Sequence, residues 1–234
     1  MKLFERLEKA ANGLADAWDA DLLYINAEID RYALDRVIME TEVRKNPAPH
    51  LFIFLTTMGG NAEIAYKIMR YLMGKYRDAT GIFALGPCKG AGTLMCAGAS
   101  EIWVGKSSEF GPLDPASTLV ANAPSVHVAE SALKAYAERL DMYLPTLRKA
   151  HDFDALERLV SGYPTSDFII DCEEISTLFS RVYHVDVEYA EDREHDLHKV
   201  VQFVQHHTAH PNSAAFGQDA DVFYLNGEYN LGNE

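Results

Sequence analysis

The residues best placed to do chemistry here are backbone groups in turns rather than reactive side chains. Thr57-Met58-Gly59-Gly60-Asn61 and Gly86-Pro87-Cys88-Lys89-Gly90 each follow an apolar run and each open a helix-like segment. Where a turn joins a buried strand to a helix, backbone N–H groups are left without intrahelical partners and face the crevice at the strand ends. Such donors hold an anion or the oxygen of a polarised carbonyl. Glycine at 59, 60, 90 and 92 lets the backbone approach a ligand closely. The expectation is an open cleft in which Met58, Gly59, Gly92 and Thr93 line the ligand site and Lys89 adds positive charge. The alternative is that these glycines only permit tight strand–helix packing.

Nucleophiles near the turns are few. Thr93 reads as a helix threonine, and Cys96 as a buried thiol among alanine and methionine. Cys88 precedes Lys89, and a neighbouring ammonium would lower a thiol pKa and favour reactivity. Lys89 fits a general base, an anion clamp or a solvated loop charge. Asp114 reads as a turn former, His127 as a surface residue, and Asp171 as a helix cap more than an orienting carboxylate. His195 and His198, and His206 and His210, have helical spacings. The carboxylate companion of a zinc hydrolase is missing, so no metal and no cofactor is expected.

Several elements must position these turns. Leu3, Phe4, Leu7, Leu14 and Trp18 form a helical stripe over residues 2–18. It would pack on the domain or on another subunit. Leu22–Ile25 reads as a first strand, 30–45 as an amphipathic helix stopped by Asn46-Pro47, and His50–Thr56 as a strand buried on both faces. Ala62–Tyr76 reads as a helix, Thr80–Leu85 as a strand, Ala91–Ala99 as a small-residue helix and Glu101–Val104 as a strand. This alternation argues a parallel sheet covered by helices. Further on, 128–160 reads as helical with a break at Pro145, 168–170 and 182–188 as strands flanking a helix at Cys172–Phe179, and His195–His207 as a last helix. From Pro211 the chain reads as an irregular tail. The division is an N-terminal helix (1–20), an α/β domain (21–190), and a C-terminal helix with its tail (191–234).

The 234 residues carry a formal net charge of −14, with 48% hydrophobic and 24% charged residues. That charge disfavours nucleic acid and anionic membrane as partners. No apolar stretch approaches the length needed to span a bilayer. Three cysteines without metal spacing read as reduced thiols in a cytoplasmic protein.

Five segments together resemble a known superfamily: Leu55–Asn61, Lys89-Gly90-Ala91-Gly92-Thr93-Leu94, Glu101–Gly105, Phe110-Gly111-Pro112-Leu113-Asp114-Pro115 and Gly162–Asp171. They resemble the ClpP/crotonase superfamily, and within it the serine dehydrogenase proteinase branch, which is similar to the signal peptide peptidase SppA. The resemblance implies an α/β fold with a parallel sheet of repeated ββα units and flanking helices. It also implies an oxyanion hole formed by the amides near Gly60 and of Ala91, and assembly as a homo-oligomer, whether trimer, hexamer or larger ring. In that branch the second turn reads Lys-Ser-Ala-Gly-Thr, and its serine is the nucleophile. Here the position is Gly90. Without a hydroxyl no acyl-enzyme forms there. Relatives of the ClpP type place a histidine soon after the segment aligned with Gly111–Pro115, where this chain has Asp114 and no histidine. The expected function is that of a degenerate peptidase-like protein binding a peptide or acyl group. The alternatives are an active ATP-independent serine-type peptidase whose serine at position 90 has been replaced, and a crotonase-type acyl-thioester enzyme.

Overall fold

A computed structural model describes residues 2–76, 79–113, 131, 134–135, 153–185, 196–208 and 221–227. In chain order the elements are α1 (Lys2–Trp18), β1 (Ala20–Asn26), α2 (Arg31–Val43), β2 (His50–Thr57), α3 (Ala62–Lys75), β3 (Ala79–Cys88), α4 (Ala91–Ala97), β4 (Glu101–Val104) and β5 (Glu109–Phe110). These are followed by α5 (Phe153–Ser161), α6 (Cys172–Leu178), β6 (Val182–His184), α7 (Asp196–Thr208) and β7 (Asp221–Tyr224). The strands form one sheet in the order β6-β4-β3-β2-β1-β7, with β5 paired to β3. All pairings are parallel except that of β7 with β1. The architecture is an α/β fold with a mostly parallel sheet flanked by helices.

The unbroken apolar runs of β1, β2 and β3 follow from burial on both faces. Leu23, Ile25, Ile53, Leu55, Ile82 and Ala84 pack with α2, α3 and α4 on one face. Their alternate neighbours Leu22, Tyr24, Phe54, Phe83 and Leu85 pack with α1 and α7 on the other. Phe54, Phe83, Trp103 and Tyr183 stack in sequence across four strands of this second face, at centroid distances of 4.5, 5.2 and 4.8 Å. Helix starts are fixed locally. Asp30 accepts from the Ala33 amide, and Asn61 accepts from Glu63 and Ile64.

One open alternative is decided and three expectations are corrected. Leu7, Ala10, Ala11, Leu14 and Ala15 of α1 are buried against the chain's own second core, so the N-terminal stripe packs on the domain. Gly86-Pro87-Cys88 belongs to β3 rather than to a turn. Between the Leu55–Ala84 and Thr57–Cys88 pairs β2 advances two residues and β3 four, and this bulge accommodates a proline that has no N–H to donate. Phe168-Ile169-Ile170 is no strand. Only Ile170 makes an isolated antiparallel bridge, to Phe110, while Ile169 is exposed. The tail is not wholly irregular, because Asp221–Tyr224 adds a strand to the edge of β1. The proposed break at Pro145 lies outside the described residues.

A buried polar network holds β7 in place. Asp21, 1% exposed, pairs with Arg44 and accepts from the Tyr76 hydroxyl at 2.7 Å and from Asn226 Nδ2 at 3.4 Å. The Tyr76 and Tyr224 hydroxyls lie 2.6 Å apart, and Arg44 stands over the Tyr224 ring at 4.8 Å. Asn226 Oδ1 accepts from the Leu22 amide at 2.8 Å. Removing Asp21 leaves the half-buried Arg44 without its carboxylate and the buried Tyr76 hydroxyl without its acceptor, which costs about 2 kcal/mol. Asp21→Ala should therefore lower stability by about that amount in urea unfolding. It should also speed hydrogen exchange at the Leu225 amide, which donates to Leu22 O. An unchanged midpoint would show that the network does not hold the strand.

Candidate functional site

The two glycine-bearing turns lie side by side at the C-terminal ends of the adjacent parallel strands β2 and β3. Their last rung is the Lys89 amide donating to Thr57 O at 3.1 Å. Beyond it, Thr57 Oγ1 accepts from the Gly59 amide at 3.1 Å and lies 3.0 Å from Gly59 O. The first turn is tied to the chain after β1. Ile29 N donates to Gly59 O at 2.9 Å, and Asn61 N donates to Ile29 O at 2.7 Å. Gly60 sits in this bridge at φ +137°, and a Cβ there would come within 2.4 Å of Ile29 O. No other residue type fits that backbone.

Peptide planarity fixes where the two expected donors point. In a trans peptide the C=O and the following N–H face opposite ways, and the chain has no cis bonds. Because Gly59 O points at Ile29, the Gly60 N–H points away from it. Because Gly90 O accepts from Leu94 N at 3.0 Å, along the axis of α4, the Ala91 N–H points out of the helix start. Neither amide has an acceptor among the described residues. Gly60 and Ala91 therefore present unpaired donors at neighbouring turns.

Gly90 occupies the elbow between β3 and α4 at φ +49°, ψ −105°. That backbone is rare for any residue with a side chain and is characteristic of strained strand-to-helix turns that project a side chain outward. An added Cβ would find Gly59 Cα as its nearest neighbour, at 4.0 Å. Among the described residues nothing lies closer, so the position has room for a side chain beside them and carries none.

The neighbouring side chains are committed elsewhere. Thr93 is fully buried; its hydroxyl donates to Cys88 O at 2.9 Å and accepts from the Gly111 amide at 3.2 Å. It ties the second turn to the Phe110–Pro115 segment and faces no cleft. Cys88 gains no reactivity from its neighbour Lys89. The thiol is fully buried, and burial, followed by the nearby Cys96 thiol, pushes its pKa well up. Lys89 Nζ lies 3.3 Å from Glu109 Oε2. Glu109 is a site residue that the sequence does not reveal, because it reaches Lys89 only through the pairing of β5 with Pro87 and Cys88. Ile29, the anchor of Gly60, is likewise invisible in sequence. Gly111 packs under the turn, where a Cβ would lie 3.3 Å from Lys89 Cβ and 3.4 Å from Gly90 N. Gly92 is close-packed too, with a Cβ 2.5 Å from Thr57 Cγ2. Met58 is 71% exposed and does not plug the site.

Asp171 caps α6, accepting from the Glu173 and Glu174 amides at 3.0 and 2.8 Å. Asp114, His127, His195 and His210 lie outside the described residues. Among the described residues no three His, Cys, Asp or Glu side chains gather as a metal site, and no helix is long and apolar enough to cross a membrane.

No protein-family model and no curated protein matches the sequence. The structure is similar to solved ones. One is a lysine-to-alanine mutant of the 1510-N membrane-bound stomatin-specific protease in complex with a substrate peptide, at TM-score 0.53 and 20% identity, covering 75% of this chain and 77% of that one. Another is a serine-to-alanine mutant of the same protease, at TM-score 0.53 and 18% identity, covering 71% and 80%. ClpP1 from Listeria monocytogenes also matches, at TM-score 0.48 and 11% identity, covering 74% and 94%. The likeness to the stomatin-specific protease shows a shared α/β fold, a mostly parallel sheet flanked by helices.

The two turn glycines should differ sharply on substitution. Gly90→Ala meets only the backbone cost of its positive φ, about 1–2 kcal/mol. Gly60→Ala adds a clash with Ile29 and should cost about 3 kcal/mol. Thermal and urea unfolding of the two variants checks the order. Equal losses would mean that the Gly60–Ile29 bridge is not rigid.

Proposed function

We propose that this chain is a peptidase-like protein that binds a peptide or acyl carbonyl between its two turns without serine-type hydrolysis. The observation that carries the reading is Gly90 itself: an elbow backbone of the kind that presents a nucleophile, with open space beyond Cα and no side chain. The outward-facing Gly60 and Ala91 amides are the donors we assign to the bound oxygen. The likeness to a protease solved with a substrate peptide supports a peptide as the ligand. Covalent catalysis needs a hydroxyl or thiolate next to a base. Thr93 and Cys88 are buried and face inward, and the Lys89 ammonium is engaged by Glu109.

A fluorophosphonate probe should leave the protein unlabelled by intact mass, whereas Gly90→Ser should gain one adduct at residue 90. A peptide aldehyde should bind weakly and reversibly to the unmodified protein, with affinity at least about tenfold lower in Gly60→Ala, where the amide is displaced. Labelling of the unmodified protein at Thr93 or any other hydroxyl would overturn the reading.

We also propose self-association, now through α2 rather than α1. Tyr32, Met39 and Val43 stand on one face of α2 and are 47, 58 and 72% exposed. Light scattering should give a multiple of 26.1 kDa, and Val43→Glu should reduce it. A monomer at micromolar concentration would refute this.

A further inference from the structure

Donors such as the Gly60 and Ala91 amides do not by themselves choose between ligands. An amide N–H donates to an uncharged carbonyl and, more strongly, to a carboxylate. What the cleft accepts is therefore set by the charges around it. Four segments meet at the elbow: 57–61, 89–92, 109–111 and 169–171. The first two are the turns themselves. Gly111 packs beneath them, against Lys89 Cβ and Gly90 N. The Phe110 and Ile170 main chains exchange hydrogen bonds of 2.9 and 3.0 Å, which brings 169–171 alongside 109–111. In these four segments Lys89 is the one cation, and Glu109 and Asp171 are the anions.

The pairing of β5 decides where Glu109 points. Glu109 pairs with Pro87 and Phe110 with Cys88, so residues 89, 109 and 111 share one face of the strands, while Cys88 and Phe110 are buried on the other. On that shared face Glu109 Oε2 lies 3.3 Å from Lys89 Nζ. The two side chains are 41% and 20% exposed, so the pair is partly shielded from solvent. Asp171 follows the Ile170 bridge and brings a second carboxylate to the same flank, where it accepts from the Glu173 and Glu174 amides. The ammonium beside the elbow is thus matched by one anion and outnumbered by two.

We propose that Glu109 is a charge filter for the cleft: by neutralising Lys89 it admits the uncharged carbonyl of an internal peptide segment and turns away a free C-terminal carboxylate. The statement rests on the cleft reading above and names the ligand class within it. A carboxylate would approach a site whose surroundings are on balance negative, on a chain of net charge −14. Repulsion of this kind gives specificity without any favourable contact. An internal carbonyl carries no charge and meets no such penalty. Two residues separate Lys89 from the Ala91 amide, so with Glu109 discharged the ammonium would attract whatever anion that amide holds.

Acetyl-trileucine, as its aldehyde and as its free acid, supplies the two ligand types; leucine suits the exposed apolar side chains of Met58 and Ile169 in these segments. The unmodified protein should bind the aldehyde at least about tenfold more tightly than the acid. Glu109→Gln, which keeps the side chain's size and removes its charge, should raise acid affinity about tenfold, and adding Lys89→Gln should cancel the gain. Salt reads the sign of the field. In about 0.5 M sodium chloride, acid affinity should rise for the unmodified protein, where the field repels, and fall for Glu109→Gln, where it attracts. A packing role for Glu109 would invert no salt slope. Acid binding that equals the aldehyde's, or that weakens with salt, in the unmodified protein would sink the proposal without any variant. So would a folded Glu109→Gln protein with an unchanged preference. If neither compound binds either protein, the cleft reading fails and the filter falls with it; if both bind without discrimination, the filter alone falls.

Discussion

The parallel pairing of β2 with β3 is the constraint on which the rest depends. Both strands are buried on both faces, so the chain must cross over through a helix and can leave the sheet only at its ends. Parallel strands deliver their C-terminal ends to the same edge. That alone brings Thr57–Asn61 and Lys89–Gly92 together, although they are far apart in sequence. The bulge at Leu85–Pro87 adds the reach that β3 needs to rise beside the first turn and to accept β5 on its other side.

Closeness of backbones then dictates composition. Gly60 lies on Ile29, Gly92 lies on Thr57 and Cys88, and Gly111 lies under Lys89 and Gly90, all at distances that a side chain would violate or strain. The whole of α4 is buried, which is why its sequence is Ala-Gly-Thr-Leu-Met-Cys-Ala, without charge. A hydroxyl inside such a layer must find internal partners, and Thr93 finds two. Gly90 differs from the other turn glycines because its missing side chain would meet open space. The close-packed glycines are needed by the fold. At 90 the chain holds a positive φ of +49° although no described neighbour crowds the position.

The polar network around Asp21 performs the opposite task at the far end of β1. It buries a carboxylate and two phenols beside a half-buried guanidinium to seat a four-residue antiparallel strand on a parallel sheet. Removal of water makes each of these contacts strong and makes the loss of any one costly. The sheet's edge is thereby specified by polar groups, while its centre is specified by apolar area.

Much of this was legible in the residues. Apolar runs such as His50–Thr56 announced buried parallel strands, glycine pairs announced the turns, and Asp171 announced a cap; each is a local property, set within a few residues by backbone sterics and burial period. Tertiary structure alone decided the remainder. The stripe on α1 shows that a face is apolar but not what covers it, and the answer was the chain's own sheet. Asp221–Tyr224 has little strand signal because its stability comes from Leu22, Asp21 and Tyr76, some 150 to 200 residues away. Cys88 beside Lys89 left open a thiol with a lowered pKa. The fold instead turned the thiol inward against Cys96 and the lysine outward to Glu109, because successive residues at a strand end face opposite sides.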